Sequence, residues 1–468
     1  MNSTEQPALP EARAKITSLI AGRGGEEQDR YAALLSRCRT RAAHELIYQV
    51  FREAADWQQK SGRRIRKFRS RSGSKFMDAL ERFVGDLLRA RAAKNASGRI
   101  FHQLGSATFD DFPVSYDVFI GILDGLKALG FVGLEKGGKI TGRATTFWAT
   151  DKLVRLAEHF GVHLEDILKH FKPEPPPNPL VLRGPGSGKG INRERGPIIK
   201  RYKHTETTRR LEAEVRELND FLARWDIRGG EHHGYTRNFN LGCWKKGGRL
   251  YSVGGGYQQM SPPEKRLEMT INGEAVAEID IKASHLTIYH AKLKCPLSRD
   301  GDPYERVGAD RAVAKQWTVA SFGNSKPARR WPSKMIKDYK EETGLDLPKV
   351  AKARDVARKM LEAFPVLQKL ERYSDIWADL QFIEAEVVIN TMLILMRDHR
   401  IPSLSMHDGI IVPRSEVGPT KTILTQQYRK FVGVEPVLTV EPEEANHVRS
   451  LRSRRAIWRG RGVSPKVA

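Results

Sequence analysis

Two aspartates stand out for the chemistry their settings could support. Asp280 falls where the β-rich run of "AVAEIDIKASHLTIYHAKL" gives way to a helical pattern from Ile281 to Lys292. Asp408 falls between the two apolar halves of "SLSMHDGIIVP", a strand–turn–strand pattern with an Asp-Gly pair. Each has an ordinary local account, a helix cap for Asp280 and a turn for Asp408. Aspartate is otherwise disfavoured in strands. Two carboxylates at the tips of neighbouring strands can hold two divalent cations, and metals about 3.5–4 Å apart activate an attacking hydroxyl while stabilising a leaving oxygen. That is the chemistry of nucleotidyl transfer, and its hard oxygen ligands select magnesium, with manganese as a substitute.

Between the aspartates lies "DRAVAKQWTVASFGNSK". Arg311, Lys315 and Phe322 stand four and seven residues apart, on one face of the predicted helix. Two cations and an aromatic ring so placed suit a triphosphate and a stacked base. The plainer alternative is a solvated charged face with Phe322 turned inward.

The elements that must position these groups are mixed. From about Gly247 to Pro442 strands and helices alternate irregularly, and an α+β fold is expected. Ahead of that region "TETTRRLEAEVRELNDFLARWDI" places Leu211, Val215, Leu218 and Leu222 on one helical face. "KPEPPPNPLVLRGPGSGKGINRERG" reads as a linker, because its proline run favours extended geometry. Its "GPGSGKG" is not a phosphate-binding loop: Arg183 stands at the first glycine position and Gly190 where a Ser or Thr is required. Residues 75–170 show a turn, an amphipathic helix, two short strands around "EKGGK" and a second helix, and residues 1–74 read as charged helix ending in the basic run "RRIRKFRSRSGSK". The expected organisation is therefore 1–74 helical, 75–170 a small module, 171–200 a linker, 201–246 a helical connecting or thumb-like segment, 247–445 the chemical core, and 446–468 a basic tail.

With 80 Lys+Arg against 56 Asp+Glu, the 468-residue chain has a formal charge of +24, which favours a polyanionic partner. No apolar run approaches the ~20 residues of a membrane span. Cys38, Cys243 and Cys295 are too scattered for a disulfide framework or zinc-ligand spacing. A nucleic-acid partner, no membrane and a cytoplasmic setting are expected; the oligomeric state is left open.

In order along the chain, the motifs resemble those of the family A DNA polymerases and their relatives, the phage-type single-subunit RNA polymerases. "GGRLYSVGGGYQQM" is similar to the segment that holds primer and template, which implies nucleic-acid contacts for Arg249 and Gln259. "EIDIKASHL" is similar to the first catalytic motif, with Asp280 a metal ligand. "DPYERVGADRAVAKQWTVASFG" is similar to the fingers helix, with Arg311 and Lys315 on the incoming phosphates and Phe322 on the base. "FPVLQKLERY" is similar to the segment beyond it, and "LQFIEAEVVIN" to the following palm helix, with Gln381 near the primer terminus. "SMHDGIIVP" is similar to the second catalytic motif, with Asp408 a metal ligand and His407 near the primer end. The resemblance covers residues 247–445 and implies a right-hand palm and fingers acting on a DNA template and primer with nucleoside triphosphates. Residues 75–170 resemble a winged-helix domain, which implies DNA contact through a helix and a wing.

The chain departs from the DNA polymerases in three places, one of them Phe322-Gly323, which comes one residue earlier along the fingers helix than their Tyr-Gly pair. His285 stands where they carry a glutamate that helps exclude the ribose 2′-hydroxyl, and Gly409 where they carry a carboxylate after the His-Asp pair. The choice between a DNA and an RNA product, and primer dependence, therefore stay open. Bacterial and mobile-element proteins with a Gly-Arg-Leu/Phe-Tyr segment, a strand-end Asp and a late His-Asp share the pattern, which implies replication of a plasmid, phage or other mobile element. Two other readings exist: a non-catalytic DNA-binding replication initiator or regulator, and a His-Asp metal phosphohydrolase. The first leaves the paired aspartates unexplained, and the second lacks the further ligands its metal shell needs.

Overall fold

The computed structural model describes residues 29–442, apart from short stretches at 65–67, 94–96, 110–112, 138–143, 187–195, 231, 254–255, 261–262, 296 and 299–300. The tail expected from 446, the tip of the expected wing and the Ser187–Gly190 part of the glycine-rich run lie outside the described residues.

The N-terminal half comprises β1 (Arg30–Tyr31), β2 (Ser36–Cys38), α1 (Arg41–Lys60), α2 (Ser70–Ala92), β3 (Arg99–His102), α3 (Tyr116–Ala128), β4 (Val132–Glu135), β5 (Thr145–Ala149), α4 (Asp151–His159), α5 (Ile167–His170) and β6 (Phe171–Pro173). Strands β1-β3-β5-β4 form one sheet in that order, with β1 at an edge, and β2 pairs β6. Alternation sets the faces of the sheet. In β5, Thr145, Phe147 and Ala149 point into the core while Thr146 and Trp148 face outward. A single apolar cluster runs from Ala32 to Phe171 and includes Leu46 and Val50 of α1, Leu80, Phe83 and Leu87 of α2, and Phe119 of α3. The border expected at residue 74 falls inside α2, because the apolar face that begins at Phe76 carries the preceding basic residues into the same helix.

The C-terminal half comprises β7 (Leu180–Leu182), α6 (Glu206–Leu222), β8 (Ile227–Arg228), β9 (Tyr235–Asn240), β10 (Cys243–Ser252), β11 (Thr270–Ile271), β12 (Glu274–Ile281), α7 (Ser284–Lys292), α8 (Arg311–Asn324), α9 (Ser333–Thr343), α10 (Leu347–Val350), α11 (Ala353–Ala363), α12 (Ile376–His399), β13 (Leu404–Ser405), β14 (Gly409–Pro413), α13 (Val417–Val432) and β15 (Leu438–Glu441). The expected linker is only partly one: Leu180–Leu182 is a buried strand, parallel to β9, since its three apolar side chains find the core. In α6, Leu211, Val215, Leu218 and Leu222 are all buried, as their spacing predicts. The rest of the expected 201–246 helical segment holds no further helix among the described residues and carries β8, β9 and the start of β10.

The larger sheet runs β13-β14-β12-β11-β8, with β15 on the free side of β12. Strand β14, GIIVP, is buried along its whole length, as a continuous apolar run in a covered strand should be. Helix α12 packs against β10 and α13 and is apolar on most faces, which marks it as a central helix.

A buried ion pair fastens this half together. Arg237 of β9, 1% exposed, donates from Nε to the Gly248 carbonyl at 2.9 Å and pairs with Glu386 of α12, while Glu214 of α6 lies 3.5 Å away. Removing one partner leaves an uncompensated buried charge. Arg237→Ala is therefore expected to lower unfolding free energy by roughly 3–5 kcal/mol, measured by urea denaturation, and Glu386→Gln added to it should cost far less than it does alone.

Candidate active site

Asp280 sits near the end of β12 with a strand on each side. Its register partners are Gly409 of β14 and Thr439 of β15. The next amide, Ile281 N–H, donates to the Asp408 carbonyl at 3.0 Å. The ladder therefore brings the two aspartates to adjacent strand ends, and both border one cavity. The helix expected from Ile281 begins later, at Ser284, after Ala283 takes a left-handed backbone with φ 48°.

The hairpin that carries Asp408 differs from the sequence expectation. Met406 and Gly409 exchange both backbone hydrogen bonds, at 2.9 and 3.2 Å, so the two loop residues are His407 and Asp408. His407 has φ 62°, the first-position geometry that normally favours glycine. Gly409 is not a turn residue but the first residue of β14. A Cβ there would overlap the Asp280 carboxylate and stand 2.9 Å from the Ile279 carbonyl. The glycine makes room for Asp280. Gly409→Ala is expected to cost roughly 1–3 kcal/mol of stability, as overpacking does, and to displace the Asp280 carboxylate. Chemical denaturation and the activity assay described below measure the two effects.

Both carboxyls are held above the usual range. Burial pushes Asp280 up to about 7, helped by the charges of Glu278 and Asp408 and opposed by Arg266. Asp408 is exposed to the cavity's water but recessed among its walls. That recess pushes it up to about 6, with Glu384 adding to the rise and Arg249 and Lys315 opposing it. Two acids that resist joint ionisation form a site whose charged state a cation would stabilise. Among the described residues no group of three or more His, Cys, Asp or Glu is arranged to hold a metal by itself. Two oxygen donors suit magnesium, which keeps waters and takes substrate phosphates as its remaining ligands.

The residue that sequence reasoning missed is Glu384, 1% exposed on α12 and bordering the cavity. Arg249 of β10 donates to its Oε1 from Nε at 2.9 Å and also from Nη2. His285 Nε2 lies 3.5 Å from its Oε2 and 3.2 Å from Arg249 Nη2. Burial alone would raise the Glu384 carboxyl, but Arg249 and His285 outweigh it and hold it low. Burial holds His285 below its usual value, so its ring is neutral near pH 7. An acid set among apolar residues in the middle of a helix is the signal that could have found Glu384, because a buried charge needs a cation beside it.

Asp280, Asp408, His285, Arg249, Gln259, Gln381, Arg311, Lys315 and Phe322 all border the same cavity. Four of the expected residues have partners or positions that the sequence does not show. Arg249, expected on nucleic acid, directs Nε and Nη2 to Glu384, since a buried acid binds its cation closely. Arg311, expected on phosphate, is paired through Nε with Asp302 at 2.6 Å. Phe322, expected to stack on a base, is 2% exposed and packs edge-on against Tyr289 at 5.4 Å, because α7 covers the Phe322 end of a face whose Arg311 and Lys315 end stays exposed. His407 does not border the cavity; its ring lies 5.1 Å from Tyr251, and burial lowers it to about 4. Lys315 remains exposed on α8.

The cavity has a volume of about 2040 Å³ and is lined by both halves of the chain. Small-molecule sites run to about 300–1,000 Å³, so this one has room for a polymer. No helix among the described residues is long and apolar enough to cross a membrane.

No family model matches the chain, and no curated protein does. Among solved structures it is similar to the POL domain of Pol1 from M. smegmatis in complex with DNA primer-template and dNTP, at 16% identity and a TM-score of 0.26. The overlap takes in 85% of this chain and 65% of that one, so this chain spans less than two thirds of that structure's length. So loose an overlap carries no weight for fold or function.

Proposed function

We propose that the protein is a template-directed nucleotidyltransferase, with residues 247–445 acting as a polymerase-like palm and fingers. The observation that carries this reading is the pair of raised carboxyls on adjacent strand ends, Asp280 and Asp408, in a cavity of polymer size with Lys315 on its wall. The net charge of +24 supports a polyanionic partner.

Asp280 and Asp408 would hold magnesium or manganese. When bound, the metal lowers the pKa of the attacking hydroxyl and neutralises charge on the phosphates. The chain's own residues do the rest. The central position of β12 fixes Asp280, and the hairpin fixes Asp408 beside it. Lys315 offers a cation to the triphosphate. Neutral His285, held against Arg249 and Glu384, presents a fixed wall to the sugar. Catalysis then rests on positioning and charge neutralisation. A DNA product and a role in replicating a mobile element are the finer parts of this proposal.

The test is incorporation of each of the eight nucleotides, supplied separately with magnesium or manganese, on primed and unprimed templates. Metal-dependent incorporation directed by the template supports the reading. Salt-sensitive duplex binding without turnover would replace it with a non-catalytic DNA-binding role.

A further inference from the structure

The N-terminal half contributes to the cavity wall, and it does so with side chains unlike those near the aspartates. Around Asp280 and Asp408 the wall is charged, with Lys282, Lys315 and Lys421 among its cations. At the N-terminal end it offers Tyr31, Phe101 and Gln103. Tyr31 and Phe101 are register partners on the parallel strands β1 and β3, with their rings 5.4 Å apart at 74°. Both are half-buried.

Neither ring belongs to the apolar core cluster, although Tyr31 also stacks at 5.4 Å on the buried ring of His102. In β3, Ile100 and His102 point inward while Arg99 and Phe101 point outward. In β5, Trp148 lies on the same outward face, paired with Arg99, whose guanidinium stands 4.6 Å from the Trp148 ring. The inner face is already filled by Ile100, Phe147 and Phe119. On the outward face Phe101 is flanked by Tyr31 on one side and Thr146 on the other, Trp148 lies one pair further along beside Arg99, and the Tyr31–Phe101 end opens on the cavity.

Aromatic rings and an amide suit the faces and edges of unpaired bases, whereas phosphates call for the cations found near the aspartates. In a duplex the base faces are stacked on one another and are not available to such rings. We propose that this outward sheet face is a stacking platform for a single-stranded stretch of nucleic acid, which leaves the cavity past Phe101 and Tyr31. The inference rests on the reading of the cavity as a nucleic-acid site and adds that the N-terminal half grips the unpaired template ahead of the aspartates. It differs from winged-helix docking, in which a helix and a wing would hold duplex.

The experiment uses the full chain and fluorescein-labelled primer–templates with 5′ template overhangs of 0, 4, 8 and 12 nucleotides, with Kd read by anisotropy. For the parent, Kd should fall at least fivefold from the blunt to the 12-nucleotide overhang. Tyr31→Leu/Phe101→Leu, which keeps apolar volume, should erase that dependence while leaving blunt-end Kd within twofold. Tyr31→Phe should retain it. Thermal denaturation of each variant checks the fold. Asp280→Asn should keep the overhang dependence, which separates this inference from the catalytic one. If the double variant incorporates nucleotides and still shows the parental overhang dependence, the platform is wrong and the polymerase reading stands. If neither protein incorporates nucleotide but a free 12-mer binds in a Tyr31/Phe101-dependent way, the platform stands and the polymerase reading falls. Equal weakening at every overhang length overturns the platform.

Discussion

Asp280→Asn and Asp408→Asn should each abolish metal-dependent incorporation, by a factor of at least about 10³ if each carboxylate stabilises the transition state by roughly 4 kcal/mol. They should also make the metal-free protein more stable at pH 8. The second effect follows from linkage. The Asp280 carboxyl is raised from 3.8 to about 7 in the folded chain. Between those values the folded state binds more protons than the unfolded state, so the group's contribution is present below pH 4 and is lost as pH rises toward 7, with a slope of up to about 1.4 kcal/mol per pH unit. Asparagine at 280 removes the slope and should raise stability at pH 8 by roughly 1–3 kcal/mol. Saturating magnesium should flatten the slope in the parent and leave the Asp280→Asn protein unmoved. Urea denaturation at pH 5, 6, 7 and 8, with and without magnesium, measures all of this. Buried, neutral His285 and His407 tilt parent and variant alike in the opposite sense, so the reading is the difference between them: a parent-minus-Asp280→Asn stability that does not fall from pH 5 to 8 without metal would contradict a raised Asp280.

Glu384→Gln is the second large effect. The carboxylate compensates Arg249, faces His285 and adds to the rise of Asp408. The amide keeps the volume and removes the charge. Arg249 then loses its buried counter-ion, and a stability loss of roughly 3–5 kcal/mol is expected. Pairing the change with Arg249→Met should recover much of that loss, because two uncharged residues leave nothing buried and uncompensated. Activity should not recover with stability. His285 would lose the partners that fix its ring, and discrimination between ribo- and deoxyribonucleotides should fall in the double variant. The ratio of kcat/KM for matched nucleotide pairs reads this directly, and an unchanged ratio would remove His285 from any role at the sugar.

The sequence made some of this legible and hid the rest. Leu211, Val215, Leu218 and Leu222 were readable because helical periodicity is a local signal. The strand-end placement of Asp280 and Asp408 was readable because the apolar runs beside them stop there. Their adjacency rests on the β12–β14 register, a pairing across more than a hundred residues that no local pattern encodes. The burial of Phe322 was hidden because helical spacing names a face without saying how far along it a neighbouring helix lies; Tyr289 covers the Phe322 end and leaves Arg311 and Lys315 exposed. Arg249 and Arg311 look like free cations in sequence, and their partners Glu384 and Asp302 lie on other elements. Glu384 was visible as an acid in an apolar helix, but only its distance to Arg249 gives it a meaning.

The space at Gly409 ties two positions into one unit of inheritance. Asp280 can keep its carboxylate where it is only while 409 has no side chain. A substitution at 409 that would be harmless beside a shorter residue at 280 becomes damaging beside aspartate. In this chain a side chain at 409 therefore requires either that the acid at 280 be withdrawn or that β12 and β14 part locally, so the two positions answer to one strand spacing.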